Sequence, residues 1–296
     1  MAPERDPLGA AVPSGYRLIR SPAGTWVGLT GCAAALGRGE ADPLLLAPRR
    51  LVAPGGGRGG IAFLRLDGIE AAGKAPRHGG LIGPLLGRIY LGAGRILRQV
   101  DVAAELRRRG VPTPEVVAVG WRRVAGPLAV HAVLTRAVPG AVTLLDAAHR
   151  ERGAPRRSIL AACARLVRSL HDAGFAHADL NLTNILIESR AGGDRLSIID
   201  LDGGRFVAAG TPGGLGESRR LRSLARLLRS CDRWMDAAVR PTGREEIAFL
   251  RVYTGSDRTR VRRYLARLRR GRAWHHARRR MATLLGLPRS SATRRQ

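Results

Sequence analysis

The chain has 296 residues, 45% of them hydrophobic, enough to bury a sizeable core in two lobes, which excludes a disordered polyelectrolyte. Its net charge of +28 is carried almost entirely by arginine, Lys74 being the single lysine, and it implies affinity for phosphate-bearing partners. Only 4% of residues are aromatic and the arginines run along the whole chain, so no specific nucleic-acid partner is expected.

In chain order, residues 1–15 read as an irregular lead-in, and 16–61 mix short apolar runs with Gly and Pro. That stretch ends in Gly55-Gly56-Gly57-Arg58-Gly59-Gly60. Residues 61–66 then read as a strand and 68–74 as a second, with Asp67-Gly68 turning between them. A helix is expected over 95–109, stopped by Gly110, Pro112 and Pro114. Strands at 116–118 and 128–134 precede a break at Val138-Pro139-Gly140. Beyond it the pattern turns helical. Over 158–171, Ile159, Ala162, Cys163, Leu166, Val167 and Leu170 form one apolar stripe, and Gly174 suits the position just past a helix end. Strand-like runs at 184–187 and 196–199 follow, then helices at 217–235 and 258–270. The expected fold class is α+β, with a strand-rich N-lobe at 16–136 and a mainly helical C-lobe at 137–296.

The strongest chemical signal is His177-Ala178-Asp179-Leu180-Asn181-Leu182-Thr183-Asn184, which fits the kinase catalytic-loop pattern H-x-D-L-x-x-x-N. The chemistry explains the spacing. A carboxylate beside the acceptor hydroxyl takes its proton, the role open to Asp179. A carboxamide further along turns back to a metal ion on the phosphates, the role open to Asn184. Downstream, Ser197-Ile198-Ile199-Asp200-Leu201-Asp202-Gly203 is an apolar strand ending in a carboxylate, so Asp200 is the candidate Mg²⁺ ligand, with Asp202 as a second. Either motif alone is ordinarily structural, a capped turn or a strand meeting solvent. In this order, with a helix running in and a strand running out, they point to phosphoryl transfer from ATP in a two-lobed protein-kinase-like fold. His177 reads as a scaffold residue that braces the loop.

Upstream, Lys74 closes a strand and is the candidate catalytic cation on the nucleotide phosphates, since a compact ammonium is not interchangeable with a guanidinium. Gly57 and Gly60, with Gly55, satisfy G-x-G-x-x-G and are the candidates for a loop covering those phosphates; any glycine-rich run would match as well.

These residues resemble the lipopolysaccharide kinase family, and most closely its 3-deoxy-D-manno-octulosonic acid (Kdo) kinases. The resemblance runs from about Gly60 to Arg270. It rests on Arg77-His78-Gly79-Gly80-Leu81, Ile89-Tyr90-Leu91, Arg109-Gly110-Val111-Pro112-Thr113-Pro114, Ala178-Asp179-Leu180-Asn181, Asn184-Ile185-Leu186, Ile199-Asp200-Leu201-Asp202-Gly203, Leu224-Ala225-Arg226-Leu227 and Arg229-Ser230. It implies ATP:sugar phosphotransfer to a Kdo hydroxyl on lipid A, with Asp179 as base, Asn184 and Asp200 holding Mg²⁺, and Lys74 on the phosphates. It also implies a hinge at Val138 to Ala141 that meets adenine through backbone groups. One departure stands out: the position of the family's N-lobe helix glutamate, which pairs with the strand cation, falls on Gln99.

Cys32, Cys163 and Cys231 are odd in number and lack metal-ligand spacing, which favours a reduced compartment. Neither a signal peptide nor a membrane span is expected. The resemblance implies a cytoplasmic enzyme docked on the inner membrane. The run 258–296, with 14 arginines and no acidic residue, is the candidate contact with an anionic membrane surface. The alternatives are a protein or aminoglycoside-type kinase, against which the lack of an Ala-Pro-Glu motif counts for the protein case alone, and a membrane-associated pseudokinase scaffold, supported by Gln99.

Overall fold

The computed structural model describes residues 12–43, 61–76, 87–191, 193–207 and 214–284. The chain folds as two compact units, Met1–Glu105 with Pro114–Pro139, and Leu106–Thr113 with Gly140–Gln296. The expected N-lobe of 16–136 therefore gives up 106–113 to the second unit. The reason is hydrogen bonding: Ile198 N–H donates to the Pro112 carbonyl at 2.9 Å, and the Thr113 hydroxyl donates to the Ile198 carbonyl at 2.8 Å.

The first unit is built on one antiparallel sheet of β1 (Tyr16–Ser21), β2 (Gly24–Leu29), β3 (Ala62–Leu66), β4 (Ile69–Lys74), β5 (Ile89–Leu91), β6 (Val116–Ala125) and β7 (Leu128–Arg136). The strand order is β1-β2-β6-β7-β4-β3, with β5 also on β7. The β3–β4 hairpin turns at Asp67 and Gly68, whose φ angles of 45° and 84° are the left-handed pair that a tight two-residue hairpin requires. The short helix α1 (Ala33–Gly37) buries Leu36 in a core with Trp26, Leu66, Val117 and Leu134. Trp26 pairs across the sheet with Gly120, and a Cβ there would sit 2.4 Å from the indole, so only glycine leaves room for the ring. Helix α2 (Gly94–Arg108) follows β5.

The stretch 16–43, read in the sequence only as short apolar runs mixed with Gly and Pro, supplies two sheet strands and a helix. Gly24 and Gly28 blur the alternation there; pairing with β6 holds β2 in place, where its own sequence would not. The strands β6 and β7 also run longer than 116–118 and 128–134.

The second unit is mainly helical: α3 (Leu144–Arg150), α4 (Gly153–Asp172), α5 (Glu217–Trp234), α6 (Gly243–Thr254) and α7 (Arg258–Leu284). Small strands complete it, β8 (Val142–Thr143) and β11 (Arg195–Ile198) flanking β10 (Ile185–Glu188), and β9 (Phe175–Ala176) paired with β12 (Arg205–Phe206). The apolar stripe of α4 is buried, and α6 begins at a capping box in which Thr242 and Glu245 bond each other's backbone. His171, at the end of α4, ties three helices together. Its Nδ1 meets the Tyr253 hydroxyl at 2.8 Å and its Nε2 the Ser223 hydroxyl at 2.9 Å, and burial pushes its pKa down to about 3. All three cysteines are free and buried, and burial pushes the thiols of Cys163 and Cys231 up to about 12, so they are unreactive packing groups.

Candidate active site

In the second unit, the segment between β9 and β10 is held by its own polar groups. His177 is buried, its Nε2 3.1 Å from the Ile199 carbonyl, while its Nδ1 accepts from the Asp179 backbone N–H at 3.1 Å. This pair of contacts fixes the neutral tautomer with the proton on Nε2. Burial drives the His177 pKa below its ordinary value, against the pull of the Ile199 carbonyl, Asp200 and Asp179. The imidazole is thus a neutral brace between the loop and the strand end. Arg226 of α5 adds a second brace, donating to the His177 carbonyl at 3.1 Å.

Asp179 lies exposed at the surface of this segment. Its carboxylate accepts from Asn181 Nδ2 at 2.9 Å, so one oxygen is oriented. Asn181 is buried and works in both directions. Its Oδ1 accepts from Thr183 N–H, the Thr183 hydroxyl and Asn184 N–H at 2.9, 2.8 and 3.1 Å, capping the single 3₁₀ turn Leu182–Asn184. That turn is also pinned to α5, because Ser230 Oγ accepts from Leu182 N–H at 3.3 Å.

Asn184 is buried, and its Nδ2 donates to the Asp179 carbonyl at 2.9 Å. With the amide nitrogen committed, the carboxamide oxygen is the atom left for another partner. The Asn184 carbonyl accepts from Ile199 N–H at 3.0 Å, which brings the end of β11 beside the loop. Asp200 follows at once, with φ of 61°, a left-handed conformation unusual for a residue other than glycine. Past it the chain turns over Phe175, where a Cβ on Gly204 would lie 2.3 Å from the ring.

These donors fit a magnesium ion: a carboxamide oxygen and a carboxylate are hard ligands, and Mg²⁺ on a nucleotide draws its remaining ligands from phosphate and water. Among the described residues no group of three or more His, Cys, Asp or Glu side chains could hold a metal alone.

In the first unit, Lys74 is half-buried at the end of β4, paired in register with Val133 of β7. Gln99 is buried on α2, and Val138 is half-buried just after β7. Gly57 and Gly60 lie outside the described residues, as do Arg77 to Leu81. The structure brings Asp179, Asn184 and Asp200 to one place in the second unit; Lys74 and Val138 belong to the first.

Sequence reasoning assigned no task to Asn181, Arg226, Ser230 or Thr113. The signal was present, since all four stand in the short motifs quoted above, at positions where a surface polar residue would serve equally well unless its partner is known.

The profile of the lipopolysaccharide kinase (Kdo/WaaP) family matches residues 47–253. A 3-deoxy-D-manno-octulosonic acid kinase of Vibrio parahaemolyticus is 32% identical over 179 residues, spanning 59% of this chain and 69% of that protein. One of Xanthomonas campestris pv. campestris is 34% identical over 180 residues, 59% and 67% of the two chains. Among solved structures, WaaP in complex with acyl carrier protein is similar at 23% identity with a TM-score of 0.47, covering 70% of this chain and 82% of that one. The strands β1 and β2 and helix α1 precede the matched region, and α7 follows it.

Proposed function

The chain belongs to the lipopolysaccharide kinase (Kdo/WaaP) family, and from that premise we propose that it transfers the γ-phosphate of ATP to a hydroxyl of Kdo in the lipopolysaccharide inner core. The observation that carries this reading is the exposed Asp179 carboxylate, oriented by Asn181 on the same loop that presents Asn184. In the reaction the acceptor O–H proton passes to Asp179, the freed oxygen bonds to phosphorus, and the bond from phosphorus to the bridging oxygen breaks to release ADP. Asn184 and Asp200 would hold Mg²⁺, which when bound neutralises charge on the phosphates. Lys74 would add a cation to those phosphates, Gly57 and Gly60 a covering loop, and the backbone at Val138 an edge for adenine.

The acceptor is an anionic membrane lipid, so we place the protein in the cytoplasm, on the inner face of that membrane. Among the described residues no helix is long and apolar enough to cross a bilayer. Helix α7 packs through Val261 and Tyr264, and Arg263, Arg269 and Arg272 pair with Glu217, Glu246 and Asp232. The remaining face carries Arg267, Arg270, Trp274 and Met281 at helical spacing; Trp274 is 65% exposed and Met281 60%. A basic face bearing exposed apolar side chains suits an anionic interface.

Transfer of labelled γ-phosphate to Kdo-lipid A, heptosylated core, aminoglycosides and a generic protein tests the function. Labelling of Kdo-lipid A that Asp179→Asn reduces by at least about a hundredfold is expected, the scale of a lost general base. Labelling of another acceptor class instead, or ATP binding with no transfer at all, would replace the reading with another kinase or with a scaffold.

A further inference from the structure

The second unit contains a cavity of about 290 Å³ where the end of α4, the start of α5 and the first turns of α7 meet. Its size is near the lower end of small-molecule pockets, roughly 300–1,000 Å³. Neither Asp179, Asn184 nor Asp200 lines it. Its lining is almost wholly polar, and its charges do not cancel. Asp172 is shared by two guanidiniums, Arg220 at 2.8 Å and Arg168 at 3.4 Å. Glu217 is matched by Arg263 at 3.0 Å. Arg260 also lines the cavity, its guanidinium 5.9 Å from the Tyr264 ring centre, and it has no carboxylate partner among the described residues.

One buried polar atom in this wall is unsatisfied. Tyr264 is 0% exposed, yet its hydroxyl has no hydrogen-bond partner. The Oε1 of Glu217, in the same wall, is held by Arg263, which leaves its second carboxylate oxygen for another donor. Buried polar groups are nearly always paired, so the orphaned hydroxyl calls for a ligand or for water. The start of α5 adds to the positive side: its N-cap is Gly216, which offers no side chain to the first N–H groups of an 18-residue helix.

We propose that this cavity binds a small phosphorylated sugar or polyol, the phosphate taken by Arg260 and the Tyr264 hydroxyl and a ligand hydroxyl donated to Glu217. Arg220 is 7% exposed and tied to the Leu215 carbonyl at 2.6 Å, so it forms a fixed positive floor whose position does not depend on the ligand. The inference rests on the second unit alone and stands apart from the acceptor named above.

The test is calorimetric titration of the full chain, saturated with a non-hydrolysable ATP analogue, with inorganic phosphate and with glucose 6-phosphate. Glucose 6-phosphate should bind, and several-fold more tightly than inorganic phosphate. Tyr264→Phe should weaken it about tenfold, the size of one hydrogen bond to a charged group. Arg260→Gln should weaken it by at least as much. Neither variant should change affinity for the ATP analogue. Tyr264→Phe removes a hydroxyl without a partner, so it should melt no lower than wild type, which guards against misfolding as an explanation. Absence of binding, or equal binding by all three proteins, would mean a cavity filled with water only and would overturn the proposal. Equal affinity for the two probes would overturn the sugar part of it.

Discussion

Asn181 does two separable things, and the isosteric change Asn181→Asp divides them. The aspartate keeps an acceptor oxygen for Thr183 N–H and Asn184 N–H, so the 3₁₀ turn remains capped. It replaces the amide donor, 2.9 Å from Asp179 Oδ2, with an oxygen carrying charge of the same sign. Two like charges some 4 Å apart repel by about 4 kcal/mol at an effective dielectric of 20, and Asp179, being exposed, escapes most of that by swinging away. The loss therefore falls on orientation and not on stability. Asn181→Ala does the reverse as well, orphaning the backbone donors of Thr183 and Asn184; a lost cap of this kind costs about 1–2 kcal/mol, a drop in melting temperature of roughly 2–8 °C. Steady-state transfer and thermal melts on both variants check the argument. Asn181→Asp should melt close to wild type with kcat down by at least about tenfold, because misaligned catalytic groups lose rate steeply. Asn181→Ala should lose both. If Asn181→Asp transfers phosphate at the wild-type rate, the 2.9 Å contact does not position the base.

Asp200→Asn preserves shape and the tolerance for a left-handed backbone while removing a charge, so it should leave the melting temperature unchanged and weaken Mg²⁺-dependent nucleotide binding at least about tenfold by calorimetry. Asp202→Asn should do far less, and the opposite order would move the metal ligand by two residues. His171 titrates at about 3 when folded and about 6.5 when unfolded, so above pH 6.5 it contributes nothing. As pH falls below 6.5 the unfolded chain binds the extra proton, and stability drops by about 1.4 kcal/mol per pH unit until the folded value is reached. His171→Gln should flatten urea-derived stability between pH 6 and 4 by that amount, and an unchanged slope would refute it. On α7, Arg267→Gln with Arg270→Gln should weaken flotation with anionic vesicles about thirtyfold, at about 1 kcal/mol per arginine, with ATP binding unchanged; flotation that ignores the double change would remove this face from membrane docking.

The two chemical motifs stand out in the sequence because the proposed chemistry fixes their spacing. It asks for a base and a carboxamide a set distance apart on the loop and for a carboxylate just past β11. The β3–β4 hairpin was legible from Asp67-Gly68 alone. The β1–β2 hairpin was not, since its stability comes from pairing with residues far along the chain. Helix α7 was expected to stop at 270, before Gly271. It continues because Arg272 of the next turn pairs with Asp232 and Glu246, which outweighs the ~1 kcal/mol cost of a helical glycine. Helix α6 carried a readable signature in Thr242 and Glu245 that went unused. Asn181 stood in a quoted motif, but its part was not read, because its partners are set by how the loop folds back on itself.

The backbone around Asp200 shows how such a site is kept in a costly shape. A left-handed conformation at a residue with a side chain costs about 1–2 kcal/mol, and such strain persists where the surroundings over-determine it. Here the two residues before Asp200 have all four backbone groups satisfied from outside their own strand pairing or from the loop. Ile198 donates to Pro112 and accepts from Thr113; Ile199 donates to Asn184 and accepts from His177. At about 1 kcal/mol net each, those four bonds exceed the strain. Two of them come from the segment 106–113 and two from the loop that carries Asp179. The same contacts that fix the backbone before Asp200 therefore also fix its position relative to Asn184, so the two proposed metal-binding positions are set by backbone hydrogen bonds. The neutral state of His177 is part of this arrangement, because a protonated ring would lose the acceptor that Asp179 N–H uses.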